Sequence, residues 1–73
     1  MPTMAAVKID GAKLKRLREQ RFLTREELAE QVGSHRDHIG RLERDEITNP
    51  RMATIRKLAA ALEVDPAELV RGG

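Results

Sequence analysis

The chain has 73 residues, enough for one domain with a small hydrophobic core. It contains no cysteine, which excludes disulfides and thiolate metal sites, and no apolar run near the roughly 18 residues of a membrane span. The net charge of +2 is small, and a single aromatic residue, Phe22, leaves little material for stacking single-stranded bases.

The basic residues are concentrated at the start of the chain. Residues 1–25 contain seven Lys or Arg and two acidic residues, whereas residues 26–50 contain three Arg and seven acidic residues. A basic segment can attract nucleic-acid phosphates, or it can be one solvated face of an amphipathic helix. Residues 1–9 are predicted to be a flexible arm before a domain of residues 10–71. The N-terminus lacks the apolar stretch of a secretory signal, so we expect a cytoplasmic, nucleoid-associated protein.

Helices 2 and 3 are predicted on either side of a very short turn. Helix 2 covers residues 25–32, and Thr24 and Glu27 have the spacing of a capping box at its start. Only a Gly-Ser pair at residues 33–34 separates it from helix 3, predicted over residues 36–44. A short helix, a glycine turn and a second helix with a polar outer face are typical of a helix-turn-helix, which places side chains in the DNA major groove.

Two more helices are predicted after a polar loop. Asn49 is a candidate N-cap and Pro50 the candidate first residue of helix 4, whose apolar stripe extends to Leu62. Residues 65–68 repeat the pattern of cap, proline and acid, and they open a short helix 5. No segment has the pattern of a strand. The predicted fold is an all-α, compact five-helix bundle.

Two opposite charges occupy apolar helix faces. Arg18 follows Leu14 by four residues on the inward face of helix 1, which is predicted to start at Asp10 or Gly11 and to end at Gln20; Glu43 follows Ile39 by four on the inward face of helix 3. A lone charge on such a face is costly, whereas two opposite charges can pair and hydrogen-bond. We therefore predict an ion pair between Arg18 and Glu43. The alternative is that both side chains extend to water.

The combined spacing of residues between about 11 and 70 is highly specific. The residues that carry it are Leu14, Leu17, Arg18, Leu23, Thr24, Glu26, Glu27, Leu28, Ala29, Gly33, Ile39, Leu42, Glu43, Pro50, Thr54, Ile55, Leu58, Ala59, Ala61, Leu62, Val64, Glu68 and Leu69. This pattern closely resembles the helix-turn-helix family of phage repressor and Cro proteins. The resemblance implies a lambda-repressor-like DNA-binding domain in which residues 36–44 form the recognition helix.

The chain departs from this family at several loop positions. Phe22 stands where the family usually has glycine, so we expect its backbone in a conformation that glycine tolerates better. Asp45 and Glu63 also replace common glycines, which bears on the geometry of both loops. His35 replaces a common Ser or Thr, so the N-cap of helix 3 is expected to shift to Ser34.

The outer face of helix 3 supplies the candidate base contacts. Arg36 and Arg41 are the principal candidates, because one guanidinium can bond guanine O6 and N7 together. Asp37 can accept a hydrogen bond from cytosine N4, or it can orient a neighbouring arginine within the helix. Gly40 either permits close approach of the backbone to DNA or is simply an exposed position.

The two histidines, His35 and His38, are further candidates for contact with a base or a phosphate. Their i, i+3 spacing can also chelate a metal ion, but the sequence shows no third ligand. We therefore predict neither a metal nor a cofactor.

Candidate phosphate contacts lie at a helix start and in the loop after helix 3. Thr24 and Arg25 lie at the N-terminus of helix 2, where backbone amides favour anions. The family often has Gln at position 25, where it touches a phosphate; Thr24 is also simply the helix cap. Arg44, Thr48 and Arg51 are candidates for contact with the other strand.

A single recognition helix reads few base pairs, so we expect a homodimer on a palindromic operator in double-stranded DNA. The candidate dimer surface consists of Pro50, Met52, Leu69 and Val70. The predicted function is a sequence-specific transcriptional regulator, more specifically a repressor that blocks polymerase by occupancy.

Two other functions stay open at this point. The first is the antitoxin of a toxin–antitoxin pair, in which a toxin partner would cover an exposed apolar surface. The second is a protein-interaction module that has lost DNA binding, although the arginines of helix 3 are still present. The sequence shows no Ser/His/Asp grouping or glycine-rich phosphate loop, so an enzyme is not expected.

Overall fold

Regular structure in the computed structural model, which describes residues 8–71, consists of four α-helices, one 3-10 turn and two short strands. The elements in chain order are β1 (Lys8–Ile9), α1 (Gly11–Gln20), α2 (Arg25–Val32), α3 (Arg36–Glu43), α4 (Met52–Leu62), the 3-10 turn (Pro66–Leu69) and β2 (Val70–Arg71). The predicted all-α class is confirmed, and α1 and α2 have the predicted bounds. Of the helices between residues 8 and 71, none is long and apolar enough to cross a membrane.

The predicted fifth helix is the 3-10 turn Pro66–Leu69. Its start follows the expected signature, because Asp65 caps it by accepting a hydrogen bond from the amide of Ala67 at 2.9 Å. The chain then becomes extended at Val70, with φ −112° and ψ 150°. Four residues before an extended segment cannot complete α-helical hydrogen bonding, so the turn stays tight.

The fourth helix begins at Met52 and not at Pro50. Arg51 is its N-cap, with extended backbone at φ −64° and ψ 150°, and its carbonyl accepts from the amide of Ile55 at 3.1 Å. The predicted cap and first residue, Asn49 and Pro50, therefore lie in the loop before the helix.

A short antiparallel strand pair joins the two ends of the described chain, and the sequence prediction missed it. Lys8 pairs with Arg71 and Ile9 with Val70. The pairing continues into the hydrogen bond from the Asp10 amide to the Leu69 carbonyl at 2.7 Å. The predicted arm is thus wrong at residues 8–9, which belong to the folded domain; residues 1–7 lie outside the described residues. Two residues are too few to show strand alternation in a sequence.

The hydrophobic core lies between the helices and is closed by this strand pair. Leu14, Leu28 and Leu58 supply fully buried side chains from α1, α2 and α4. Ile9 of β1 and Leu69 of the 3-10 turn are equally buried. The prediction that Leu69 belongs to a dimer surface is therefore wrong, because its side chain is already part of the core.

The start of α1 abuts the end of α3 without space for a side chain. A Cβ atom on Gly11 would collide with the carbonyl oxygen of Leu42 and would lie 2.6 Å from that of Glu43. The Gly11 amide donates to Asp45 Oδ1 at 3.3 Å. This backbone contact fixes the C-terminal end of α3 against α1.

In the loops of residues 8–71, three residues other than glycine have left-handed backbone: Phe22 (φ 56°), Asp45 (φ 61°) and Glu63 (φ 58°). These are the three positions at which the resemblance described above implied a common glycine, and the expectation for Phe22 is confirmed. The loops thus keep the glycine geometry although the residues differ. An L-residue in this region costs about 1–2 kcal/mol, which the rest of the fold must offset.

Candidate nucleic-acid interface

Helices α2 and α3 are joined by a turn of minimal length. The predicted capping box is present at the start of α2: Thr24 Oγ1 accepts from the Glu27 amide at 3.0 Å, and Glu27 Oε1 accepts from the Thr24 amide at 2.8 Å. At the other end Gly33 is left-handed, with φ 71°. The Ser34 amide then bonds the Ala29 carbonyl at 2.8 Å. The two caps define the ends of α2, and the left-handed Gly33 turns the chain directly into α3.

The N-cap of α3 is His35, which makes no side-chain capping bond. The expected shift of the cap to Ser34 is wrong, because the Ser34 hydroxyl lies 2.8 Å from His38 Nδ1 and bonds that ring instead. His38 is consequently half-buried, while His35 is exposed. Within residues 8–71, no group of three or more His or acidic side chains is arranged to hold a metal ion.

One face of α3 is mostly apolar and buried, and the other is charged and exposed. Ile39 and Leu42 enter the core, whereas Arg36, Asp37 and Arg41 are exposed. The periodicity of the helix thus places three of the candidate base contacts in solvent.

An open groove runs between α1, the start of α2 and the exposed face of α3; we call it the α3 groove. It is lined by Lys15, Arg18, Glu19, Thr24, Arg25, Glu26, Arg36, Asp37, Gly40 and Arg44. Candidate base contacts and candidate phosphate contacts, which lie far apart in sequence, therefore share one surface. Five candidates do not line it: Arg41, His35, His38, Thr48 and Arg51.

The carboxylate of Glu43 organises the floor of the α3 groove. It accepts from Arg18 Nε at 2.6 Å and from Arg18 Nη2 at 3.2 Å, so the pair predicted from sequence is present. Arg25 Nε donates to the same carboxylate at 3.0 Å, and Arg18 Nη1 donates to the Leu23 carbonyl at 2.7 Å. One buried carboxylate thus links α1, α2 and α3. The bond to Arg25 was missed, although an arginine in place of a shorter Gln was a signal for it.

Arg25 divides its guanidinium between the protein and the groove. Its Nε atom bonds Glu43, while 42% of its side chain remains exposed. The side chain is therefore oriented by Glu43 on the floor of the groove. Its exposed face is left for a ligand at the N-terminus of α2, where backbone amides favour anions.

Arg44 is the C-cap of α3 and reaches back over the helix. It covers Gly40, which is buried and not exposed as one sequence interpretation had it. Arg44 Nε donates to Glu46 Oε2 at 2.9 Å. This hydrogen bond and the attraction between the charges lower the pKa of Glu46 and raise the pKa of Arg44.

The remaining phosphate candidates lie beyond the α3 groove. Thr48 is half-buried, and its carbonyl accepts from the Ile9 amide at 2.8 Å, which ties the loop after α3 to β1. Arg51 is exposed at the start of α4.

Comparison with known proteins places this arrangement among helix-turn-helix domains. The model of the family HTH_3, helix-turn-helix, matches residues 14–69. The restriction-modification controller protein C.AhdI from Aeromonas hydrophila is 38% identical, with a TM-score of 0.75 over 80% of this chain and 83% of that one. The P22 c2 repressor, solved with a synthetic operator, is 25% identical, with a TM-score of 0.79 over 86% of this chain and 94% of that one.

A third similar structure is the biofilm master regulator SinR in complex with DNA, 30% identical with a TM-score of 0.74 over 78% of this chain and 90% of that one. The DNA-binding domain of SinR is from Bacillus subtilis, and SinR has also been solved in complex with the SinI protein. No curated protein gave a significant match.

Proposed function

This chain belongs to the HTH_3 helix-turn-helix family of DNA-binding transcriptional regulators, and from that premise we propose that it is a repressor acting as a homodimer on a palindromic operator. One observation carries the proposal. Arg36 and Asp37 of α3 and Thr24 and Arg25 of α2 line the same groove. A duplex seated there would meet base-reading and phosphate-binding groups together.

Sequence would be read by the exposed side of α3. Arg36 and Arg41 carry guanidinium groups that can bond guanine O6 and N7 in the major groove. Asp37 lies beside Arg36 and either accepts from cytosine N4 or orients that arginine. His35, exposed at the N-cap, and His38 complete the proposed base-contacting set.

The DNA backbone would be bound at the start of α2. The first amides of this helix point outward, and the Thr24 cap leaves those of Arg25 and Glu26 for a phosphate. The Arg25 guanidinium, oriented by Glu43, adds a positive charge at the same place. Arg51 and Thr48 are proposed as contacts on the other strand.

A dimer would bring two such surfaces to half-sites about one helical turn apart. We propose Pro50, Met52 and Val70 as part of the dimer surface. Met52 is 49% exposed, which is unusual for a large apolar side chain in this fold, and Pro50 and Val70 are half-buried. Small apolar patches of this kind favour weak dimerisation that is completed on DNA.

A protein partner is a second candidate ligand. SinR, which shares this fold, has been solved in complex with SinI. Phe22 is 92% exposed, and a partner of that kind could cover it. A toxin would be one example.

The deciding experiment is selection of binding sites from a random duplex library at two salt concentrations, with sedimentation of the protein alone and on the selected site. Enrichment of a palindrome bound by two chains would support the proposal. Binding without enrichment would indicate nonspecific attachment, and absence of binding at both salt concentrations would favour the interaction module. The variant Arg36→Ala/Arg41→Ala, checked for unchanged helicity, serves as the matched control.

A further inference from the structure

The side chain of Arg44 lies on the backbone of α3 instead of extending away from it. Side chains near the end of a helix lean towards the preceding turn, and residue 40 is one turn earlier. A Cβ atom built on Gly40 would lie 3.0 Å from Arg44 Nη1, 3.7 Å from Cζ and 3.8 Å from Nη2. The guanidinium therefore occupies the space in which a side chain at residue 40 would begin.

Glu46 fixes this position. Its Oε2 atom accepts from Arg44 Nε at 2.9 Å, and the shifts in the pKa of both groups agree with a close pair. Among the hydrogen bonds of residues 8–71, Arg44 uses only its Nε. The edge formed by Nη1 and Nη2 is a two-donor fork, and Arg44 lines the α3 groove beside Arg36 and Asp37.

The charge of Arg44 is partly offset by that of Glu46, whose carboxylate lies 2.9 Å from Nε at the surface. Attraction to phosphates and the release of counterions depend on net positive charge. A carboxylate bonded to the guanidinium reduces the field felt by a phosphate several ångströms away, but it leaves the direction of the N–H donors unchanged. The Arg44–Glu46 pair is therefore suited to hydrogen bonding with a specific arrangement of base acceptors. It is poorly suited to sequence-independent attraction of DNA phosphates.

We propose that Arg44 is a base-reading residue of the α3 groove and not the phosphate contact that the sequence alone indicates. It takes the place of the missing side chain at residue 40 and presents its Nη1–Nη2 edge to a guanine. Gly40 provides the space, and Glu46 is a positioning residue. This inference rests on the proposed function, because it requires that α3 enter the major groove.

The test compares variants on the site selected by the wild-type protein and on copies with each base pair changed. Arg44→Lys keeps the charge but lacks the fork, so it should lose about 5- to 100-fold preference for one guanine per half-site with little change in salt dependence. Gly40→Ala alone should weaken the preference for the same guanine. When Gly40→Ala is added to Arg44→Lys, it should cause no further loss of that preference. Arg25→Gln serves as the phosphate-contact reference, with uniform loss on every sequence.

Glu46→Gln gives two effects of opposite sign. Removal of a negative charge near DNA should increase affinity for all sequences, whereas release of Arg44 should reduce preference at the same guanine. In the free protein, the Arg44 Nε–H signal in NMR spectra should exchange slowly with solvent in the wild type and quickly in Glu46→Gln. This last readout requires no DNA.

The outcomes separate the two hypotheses. A wild-type protein that selects no sequence overturns the proposed function. A wild-type protein that selects an operator, together with Arg44→Lys that keeps every base preference, overturns the role of Arg44 alone. Uniform weakening of all sequences by Arg44→Ala, with a shallower salt dependence, would return Arg44 to phosphate binding and also contradict the inference.

Discussion

Arg18 and Glu43 form a two-point ion pair in which Nε and Nη2 donate to the two carboxylate oxygens at 2.6 and 3.2 Å. Only 9% of the Arg18 side chain and 1% of the Glu43 side chain are exposed. Removal of both charges from water is costly, and the hydrogen bonds to Leu23 and Arg25 help to offset that cost. A pair of this type is most sensitive to the loss of a single member.

Arg18→Leu should lower the free energy of unfolding by about 3–5 kcal/mol, because Glu43 is left as a buried charge with Arg25 as its remaining partner. Glu43→Leu should cost at least as much, since it releases two arginines. Urea denaturation followed by circular dichroism measures both. The double variant Arg18→Leu/Glu43→Leu should be more stable than either single variant; a double variant with the sum of the two losses would show that the charges do not act as a pair.

Glycine substitution at the three left-handed positions should show how much each residue's backbone strain costs and how much its side-chain hydrogen bonds contribute to stability. Phe22→Gly and Glu63→Gly should each raise the melting temperature and add about 1 kcal/mol of stability, because Phe22 is exposed and the only ion pair of Glu63 among residues 8–71 is a solvent-exposed one to Arg21 at 3.5 Å, too weak to offset the backbone strain. Asp45→Gly should give no such gain. Its carboxylate accepts from the Gly11 amide at 3.3 Å and from Arg71 Nη2 at 3.0 Å. Calorimetry of the three variants measures their melting temperatures. A stabilised Asp45→Gly would contradict the prediction.

Gly11→Ala should lower the free energy of unfolding much more than Gly33→Ala. At Gly11 the new methyl group meets the carbonyl oxygens of Leu42 and Glu43, which belong to helix backbone and cannot move freely. We expect a loss of about 1–3 kcal/mol or more in urea denaturation, as for an overpacked site. At Gly33 a Cβ atom has no neighbour within 4 Å, so Gly33→Ala suffers only from its φ of 71°. Equal losses at both sites would argue against a close contact between α1 and α3.

Two arginines should respond differently when operator binding is measured. Arg41→Ala should remove discrimination at one base pair per half-site, worth about 1–3 kcal/mol, without loss of stability. Arg25→Ala should weaken all sequences alike and reduce the slope of log affinity against log salt concentration by about one. Binding titrations at several salt concentrations, on the operator and a scrambled duplex, distinguish the two. A sequence-dependent effect of Arg25→Ala would remove it from the phosphate contacts.

The carboxyl group of Glu46 should titrate below its usual range in the wild type and return towards that range in Arg44→Ala. The hydrogen bond and the positive charge of Arg44 both lower the pKa of Glu46. The pair is thus fully present above the usual carboxyl range and is lost as pH falls through the lowered pKa. Carbon-detected NMR titration of the side chain measures this value, and an identical midpoint in both proteins would contradict the hydrogen bond.

The sequence predicted the helices because their signals are local. The capping box of Thr24 and Glu27 and the apolar spacing of α1 and α2 lie within one or two turns, so they fix the bounds of both helices. The pair of Arg18 and Glu43 was predictable for a related reason, since each charge interrupts an apolar face. The strand pair was not predictable, because Ile9 pairs with Val70 at the opposite end of the described chain and each strand has only two residues.

The candidate site was predictable as a set of residues but not as an arrangement. Periodicity places Arg36 and Asp37 on the outside of α3 regardless of the tertiary structure. By contrast, the bond from Arg25 to Glu43 and the cover of Arg44 over Gly40 depend on side-chain rotamers and on the path of the loop after α3. The start of α4 at Met52 depends on the same loop, which keeps Pro50 out of the helix.

The strand pair has a consequence for how the protein is made. Ile9 and Leu69 are both fully buried, and the Asp10 amide bonds the Leu69 carbonyl, so the first and last parts of the described chain complete one core together. A contact across about sixty residues closes only after its loop entropy has been offset by other structure. On the ribosome, the domain cannot finish folding until residues 69–71 have left the exit tunnel. Truncation before Leu69 should therefore yield a chain that proteases remove, and not a smaller folded domain.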